Sequence, residues 1–168
     1  MSSEAAEGQA PEQAKFAPVS LLALARHCTE SLALNAQKAY VTLLAEGEDL
    51  TVQGDQRLLE ELCFNLCDNA IRYNRPGGRV ILHVETRDGH PTLRVEDNGI
   101  GIPPEHQARV FERFYRVDKS RSKATGGTGL GLAIVKHIAL LHGAQLKLES
   151  RENEGTTITV LFPVQSKK

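Results

Sequence analysis

Apolar residues recur along this chain with two periods, and the switches between them divide it into alternating helices and strands. Leu21 to about Leu34 repeats at helical spacing behind Pro18 and Ser20, with Ser20 placed to cap the first turn. From Asp55, a second cap, to about Tyr73, the residues Leu58, Leu59, Leu62, Cys63, Leu66, Ala70 and Ile71 form one stripe of a long helix. Asn74-Arg75-Pro76-Gly77-Gly78 ends that helix with turn residues. A third helix is predicted from Leu130 to Leu141, stopping at His142-Gly143. Strand-like runs lie between. Residues 40–44 and 50–52 flank the acidic turn Glu46-Gly47-Glu48-Asp49. Arg79–Glu85 and Thr92–Glu96 alternate around Arg87-Asp88-Gly89-His90, and Gln145–Glu149 and Thr156–Phe162 around Glu152-Asn153-Glu154-Gly155. The order predicts an α/β two-layer sandwich, with about three helices packed on one face of a mixed, mainly antiparallel β-sheet.

Composition narrows the function. With 168 residues the chain fits one domain, and 20 Lys+Arg against 21 Asp+Glu leave a net charge of -1. That balance gives no support to a nucleic-acid binder or to a protein held on membranes by bulk charge. Three Tyr, five Phe and no Trp are too few for a base-stacking platform. The chain has neither an apolar run of membrane-spanning length nor a signal-peptide layout at its start. Residues 1–15 contain no aromatic, β-branched or Leu residue and are expected to be a flexible tail, as are residues 164–168, leaving one domain over residues 16–163. Cys28, Cys63 and Cys67 show no metal or redox spacing and are expected in the core of a protein from a reducing compartment.

Three constellations carry candidate chemistry. On the second helix Glu61, Asn65, Asn69 and Tyr73 stand four residues apart and so share one face, with Arg72 near the same end. Amide oxygens suit Mg²⁺, but on its own this line reads equally as a solvated face. Val95-Glu96-Asp97-Asn98-Gly99-Ile100-Gly101-Ile102-Pro103 puts a carboxylate where a strand ends, before glycines that let the backbone approach a ligand. By itself it is an ordinary Asp-Asn-Gly turn. Gly126-Gly127-Thr128-Gly129-Leu130-Gly131-Leu132 runs into a helix start, where bare amides and the helix dipole favour phosphate. The run is neither a Walker loop nor GxGxxG.

Taken in order, these segments resemble the catalytic ATP-binding domain of sensor histidine kinases, within the GHKL ATPase superfamily. Residues 65–73 (NLCDNAIRY) are similar to its N box, Asp97–Ile102 to the G1 box, Phe111–Arg116 to the F box, and Gly127–Leu132 to the G2 box, with Gly155-Thr156 matching the last signature. The resemblance covers about residues 16–163. It implies that Asn69 ligates Mg²⁺ with Asn65 in the same shell, that Arg72 lies near the phosphates, and that Tyr73 lies along the nucleotide. It implies that Asp97 binds the adenine amine, helped by Gly101 and a water held with Thr156, within a wall that includes Gly99 and Ile102. The amides around Gly127, Thr128, Gly129, Leu130, Gly131 and Leu132 would line the phosphates. Residues 103–126 would be a mobile ATP lid anchored by Phe111 and Phe114, and Arg116 would reach the γ-phosphate. Glu61 stands where hydrolysing relatives keep a base. The lid stretch 113–123 holds Arg113, Arg116, Lys119, Arg121 and Lys123 against Asp118 alone, a basic loop that a triphosphate would draw closed.

The resemblance also implies what partners the chain needs. Its γ-phosphate would go to a histidine on a separate dimerisation/phosphoacceptor domain, and then to a response regulator receiver domain. No nucleic acid and no direct membrane contact are expected, the chain being a cytoplasmic domain of a membrane-anchored parent. Among the six histidines, His27, His83, His90, His106, His137 and His142, none has the acid and nearby proline of the family's acceptor. His142 is expected to cap a helix. The alternatives are another GHKL ATPase, an anti-sigma-type serine kinase, or a nucleotide-binding docking module without activity.

Overall fold

The computed structural model describes residues 15–112 and 131–164. Within them the chain runs through β1 (Ala17–Ser20), α1 (Leu21–Ser31), α2 (Ala33–Lys38), β2 (Thr42–Gly47), β3 (Thr51–Gly54), α3 (Gln56–Arg72), β4 (Arg79–Arg87), β5 (His90–Asp97), α4 (Pro104–Gln107), α5 (Gly131–Leu141), β6 (Gln145–Arg151) and β7 (Gly155–Leu161). The five-stranded sheet has the order β2-β4-β5-β7-β6. Its β2–β4 pair is parallel and the other three are antiparallel. This is the expected two-layer α/β sandwich with a mixed, mainly antiparallel sheet.

Alternation decides which sheet face is covered. Val80, Leu82 and Val84 of β4, Leu93 and Val95 of β5, and Ile158 and Val160 of β7 are buried. They share one core with Leu59, Leu62 and Leu66 of α3, Val135 and Ile138 of α5, and Leu24 and Ala25 of α1. The opposite face carries charge. His83 lies 3.1 Å from Glu46 and 2.9 Å from Glu96, and Arg94 lies 3.0 Å from Glu85. Arg94's hydrogen bond holds the Glu85 carboxyl below its ordinary range. No helix of the described residues is long and apolar enough to cross a membrane.

The caps form as the sequence predicts. The Ser20 hydroxyl accepts from the Ala23 amide at 3.1 Å, and Asp55 Oδ1 from the Leu58 amide at 3.1 Å. Asp88 and Gly89 both take positive φ, 51° and 82°, in the two-residue turn joining β4 and β5. The first helix departs from expectation. It stops at Ser31, and a separate short α2 follows Leu32, an arrangement that buries both Leu32 and Ala36. The strands flanking the acidic turn do not pair with each other. β2 joins the main sheet, whereas β3 pairs with β1, where Val19 and Val52 are cross-strand partners and both buried. The three cysteines are buried between α1 and α3. Burial holds the Cys63 and Cys67 thiols above their ordinary range.

His142 caps more than its own helix. Its Nδ1 lies 2.8 Å from the Ile138 carbonyl, and its Nε2 accepts the Asp55 amide at 3.1 Å. The ring is therefore the neutral Nδ1–H tautomer, joining the end of α5 to the start of α3. Phe16 stacks on it with centroids 4.8 Å apart, and Phe162 meets it edge-on.

Candidate functional site

Asp97 ends β5, the middle strand of the five. Its register partners are Val80 on β4 and Thr156 on β7. The carboxylate is thus held from both sides at the sheet's end. Oδ1 accepts the Gly99 amide at 2.9 Å and the Thr156 amide at 3.3 Å, and Oδ2 accepts nothing among the described residues. Burial pushes its pKa up from 3.8 to about 6, against the pull of the two amides and with a small push from Glu96. At neutral pH it is an ionised acceptor with one oxygen to spare.

The loop after Asp97 is clamped between two walls. On one side the Ile100 amide donates to the Tyr73 carbonyl at 3.1 Å, at the end of α3. On the other, Asn153 donates its amide to the Ile100 carbonyl at 2.6 Å, and the Ile102 amide donates to Ser150 Oγ at 2.8 Å. Gly101 has φ +72°, and a Cβ there would run into the Arg151 carbonyl, so only glycine fits. The Gly99 position is closed to a side chain by the backbone of Tyr73 and Asn74.

One face of α3 feeds the core and the adjoining face supplies the polar line. Asn65, Asn69 and Tyr73 are half-buried and Glu61 is exposed. Neither Asn65 nor Asn69 makes a side-chain hydrogen bond among the described residues. Asn65 Oδ1 would stand 3.8 Å from a Cβ at Gly131, which places it beside the start of α5. Two unengaged amide oxygens one turn apart, that of Asn65 beside the start of α5, suit Mg²⁺, which prefers oxygen ligands. No group of three His, Cys, Asp or Glu side chains among the described residues could hold a metal by itself. Arg72 lies 2.8 Å from Asp68 in an i,i+4 ion pair, so it is anchored along the helix.

The structure therefore brings together Asn65, Asn69, Tyr73, Asp97, Gly99, Gly101, Ile102, Gly131, Leu132 and Thr156 around the C-terminal end of α3, the end of β5 and the start of α5. Arg113, Phe114, Tyr115, Arg116, Asp118, Lys119, Arg121, Lys123, Gly126, Gly127, Thr128, Gly129 and Leu130, with most of the expected lid, lie outside the described residues. The Thr156 hydroxyl, expected to hold a water, is bonded to Ser150 Oγ at 2.8 Å, and it is the Thr156 amide that meets Asp97. Sequence reasoning missed Ser150 and Gln107. Gln107 Nε2 donates to the Ile102 carbonyl at 2.8 Å and the Ser150 carbonyl at 3.1 Å, tying α4 to the loop and to β6. Ser150 was findable, because the turn at 152–154 sets it opposite Thr156. Gln107 had no such signal.

Comparison with known proteins identifies the family and the fold. Residues 54–166 match the family described as "Histidine kinase-, DNA gyrase B-, and HSP90-like ATPase". Sensor histidine kinase YkoH of Bacillus subtilis is 40% identical over 148 residues, covering 88% of this chain and 32% of that protein. Sensor-like histidine kinase SenX3 of Mycobacterium bovis is 49% identical over 115 residues, covering 68% of this chain and 28% of that protein. The chain thus spans about a third of the length of these curated relatives. Among solved structures, a mycobacterial sensor histidine kinase, MprB, superposes with TM-score 0.77 at 32% identity, covering 89% of this chain and 97% of that one. Full-length ShkA in complex with AMPPNP superposes with TM-score 0.76 at 25% identity, covering 92% of this chain and 32% of that one.

Proposed function

Since the chain belongs to the histidine kinase-, DNA gyrase B- and HSP90-like ATPase family, we propose that it is the ATP-binding catalytic module, over residues 16–163, of a two-component sensor histidine kinase. It binds Mg-ATP and presents the γ-phosphate to a histidine on the dimerisation/phosphoacceptor domain of the same kinase. A response regulator receiver domain then takes the phosphate. The observation that carries this reading is the ionised Asp97 at the end of the central strand, with Oδ2 unengaged and Asn65 and Asn69 on the adjoining helix. The AMPPNP complex of ShkA supports the same ligand class.

The residues divide the work. Asp97 accepts a hydrogen bond from the adenine amine, and the clamped Gly99–Ile102 backbone forms the wall beside the base. Tyr73, half-buried where α3 ends, lies along the nucleotide. Asn65 and Asn69 would hold Mg²⁺ through their amide oxygens, and the ion would neutralise charge on the phosphate oxygens. The resemblance assigns the amides from Gly127 to Leu132 to the phosphates, and the positive end of the α5 dipole favours such anions. Arg72, held by Asp68, adds positive potential nearby, and the resemblance assigns the γ-phosphate contact to Arg116. Phosphoryl transfer needs mainly positioning and charge neutralisation, which this set provides without a covalent intermediate. Glu61 would orient or deprotonate the incoming nucleophile.

Titration of a fluorescent ATP analogue into the chain, with and without Mg²⁺, tests the reading. Saturable binding strengthened by Mg²⁺ and displaced by ATP is expected. A folded chain that shows no displaceable binding would rule the function out.

A further inference from the structure

Ser150 Oγ lies at a junction of three contacts. It accepts the Ile102 amide at 2.8 Å, lies 3.0 Å from the Gly155 carbonyl, and lies 2.8 Å from Thr156 Oγ1. A serine hydroxyl has one proton. The Gly155 carbonyl can only accept, so the Ser150 proton goes there. The contact with Thr156 then needs a proton from Thr156. The reverse assignment would leave the Gly155 contact without any proton. Ser150 Oγ is thereby filled, with one proton given and two taken.

The Thr156 hydroxyl is consequently turned. Its proton points to Ser150, and it has only lone pairs left for a ligand or a bound water. Thr156 and Asp97 are cross-strand partners, so their side chains share a face of the sheet at the end of β5. Asp97 Oδ2 is also an acceptor. This end of the site therefore offers acceptors from both side chains.

We propose that Ser150 is a specificity-determining positioning residue: by accepting the Thr156 hydroxyl's hydrogen bond it leaves only acceptors on the side chains at the base-binding end of the site, which favours an amino purine over an oxo purine. An adenine amine donates to both groups or to a water they hold. An oxo purine brings a carbonyl that would face lone pairs, and unpaired polar groups in a half-buried site are costly. The inference rests on the ATP-binding reading above.

The test compares ATP with inosine triphosphate, which carries a carbonyl in place of the adenine amine, by calorimetric titration of the full chain. Wild type is expected to prefer ATP. Ser150→Ala frees the Thr156 hydroxyl to rotate and donate, and should cut the ATP-to-inosine preference about five- to tenfold. Ser150→Thr, which retains the hydroxyl, should restore it. On a Thr156→Val background, Ser150→Ala should leave the preference unchanged, a coupling that a purely structural role would not produce. If Ser150→Ala does not fold, Thr156→Val alone decides, with a reduced preference expected. Equal weakening of both nucleotides by Ser150→Ala, or an unchanged preference in Thr156→Val, would overturn the proposal while ATP binding stands. Failure of wild type to bind either nucleotide would overturn the functional reading itself.

Discussion

At the residue scale, Asp97 sets stability against binding. Its folded pKa of about 6 lies above the ordinary 3.8 because burial disfavours the charge. Below 3.8 the carboxyl is protonated in both folded and unfolded chains and imposes no penalty. As pH rises through the window from 3.8 to about 6, the folded chain must give up a proton that its surroundings favour, and stability is lost. The accumulated loss above that window is about 3 kcal/mol. Asp97→Asn keeps the shape and an oxygen for the two amides but removes the charge. Chemical denaturation should find this variant more stable than wild type by about 1–3 kcal/mol at neutral pH, with the gap closing in acid. Equal stabilities at neutral pH would contradict the assignment. ATP binding should move the opposite way. Wild-type affinity should fall as pH drops below about 6, where the acceptor becomes protonated. The Asn variant should bind weakly at every pH, with no inflection there.

At the scale of elements, α3 serves two masters on adjoining faces. Leu59, Leu62, Cys63, Leu66, Cys67, Ala70 and Ile71 are buried, while Asn65 and Asn69 stay half-exposed without side-chain partners among the described residues. Asn69→Ala should therefore leave the thermal midpoint nearly unchanged, with an effect below about 0.5 kcal/mol, yet remove the Mg²⁺ dependence of nucleotide binding. Calorimetry with and without Mg²⁺ reads both. A retained dependence would move the metal to other ligands. His142 at the far end of the helix pair gives the converse. His142→Ala strips partners from the Asp55 amide and the Ile138 carbonyl and leaves a gap beside Phe16 and Phe162. It should cost about 2–4 kcal/mol while nucleotide affinity, measured well below the midpoint, stays within about twofold of wild type.

At the scale of the whole molecule, the near-zero net charge averages over separated regions. Acids and bases pair on the open sheet face, basic residues gather between 113 and 123, and one carboxylate is buried at the sheet's end. Three of the described histidines are held by the fold. His142 is buried, His83 lies between Glu46 and Glu96, and the Nδ1 of His90 lies 2.7 Å from the Phe162 carbonyl. Incubated alone with labelled ATP, the chain should gain no stable, acid-labile phosphate, whereas adding its phosphoacceptor domain should place label there. Acid-labile label on the chain itself would overturn this reading. Much of the molecule was legible beforehand, because helical periodicity, caps, hairpin turns and the Asp-Gly and Gly-rich segments are local patterns. From α3 to β5 and again at β6–β7, the elements appear where those patterns put them. The sequence by itself thus determined the α/β class and most of the elements, though not β1, α4 or the break between α1 and α2, and it pointed to the segments that carry the candidate site. Only the tertiary structure decided that β3 pairs with β1, that β2 lies parallel to β4, that His142 bridges two helices, and that Ser150 orients Thr156. Each depends on groups distant in sequence or on the direction of a hydroxyl, and spacing along the chain carries no record of either.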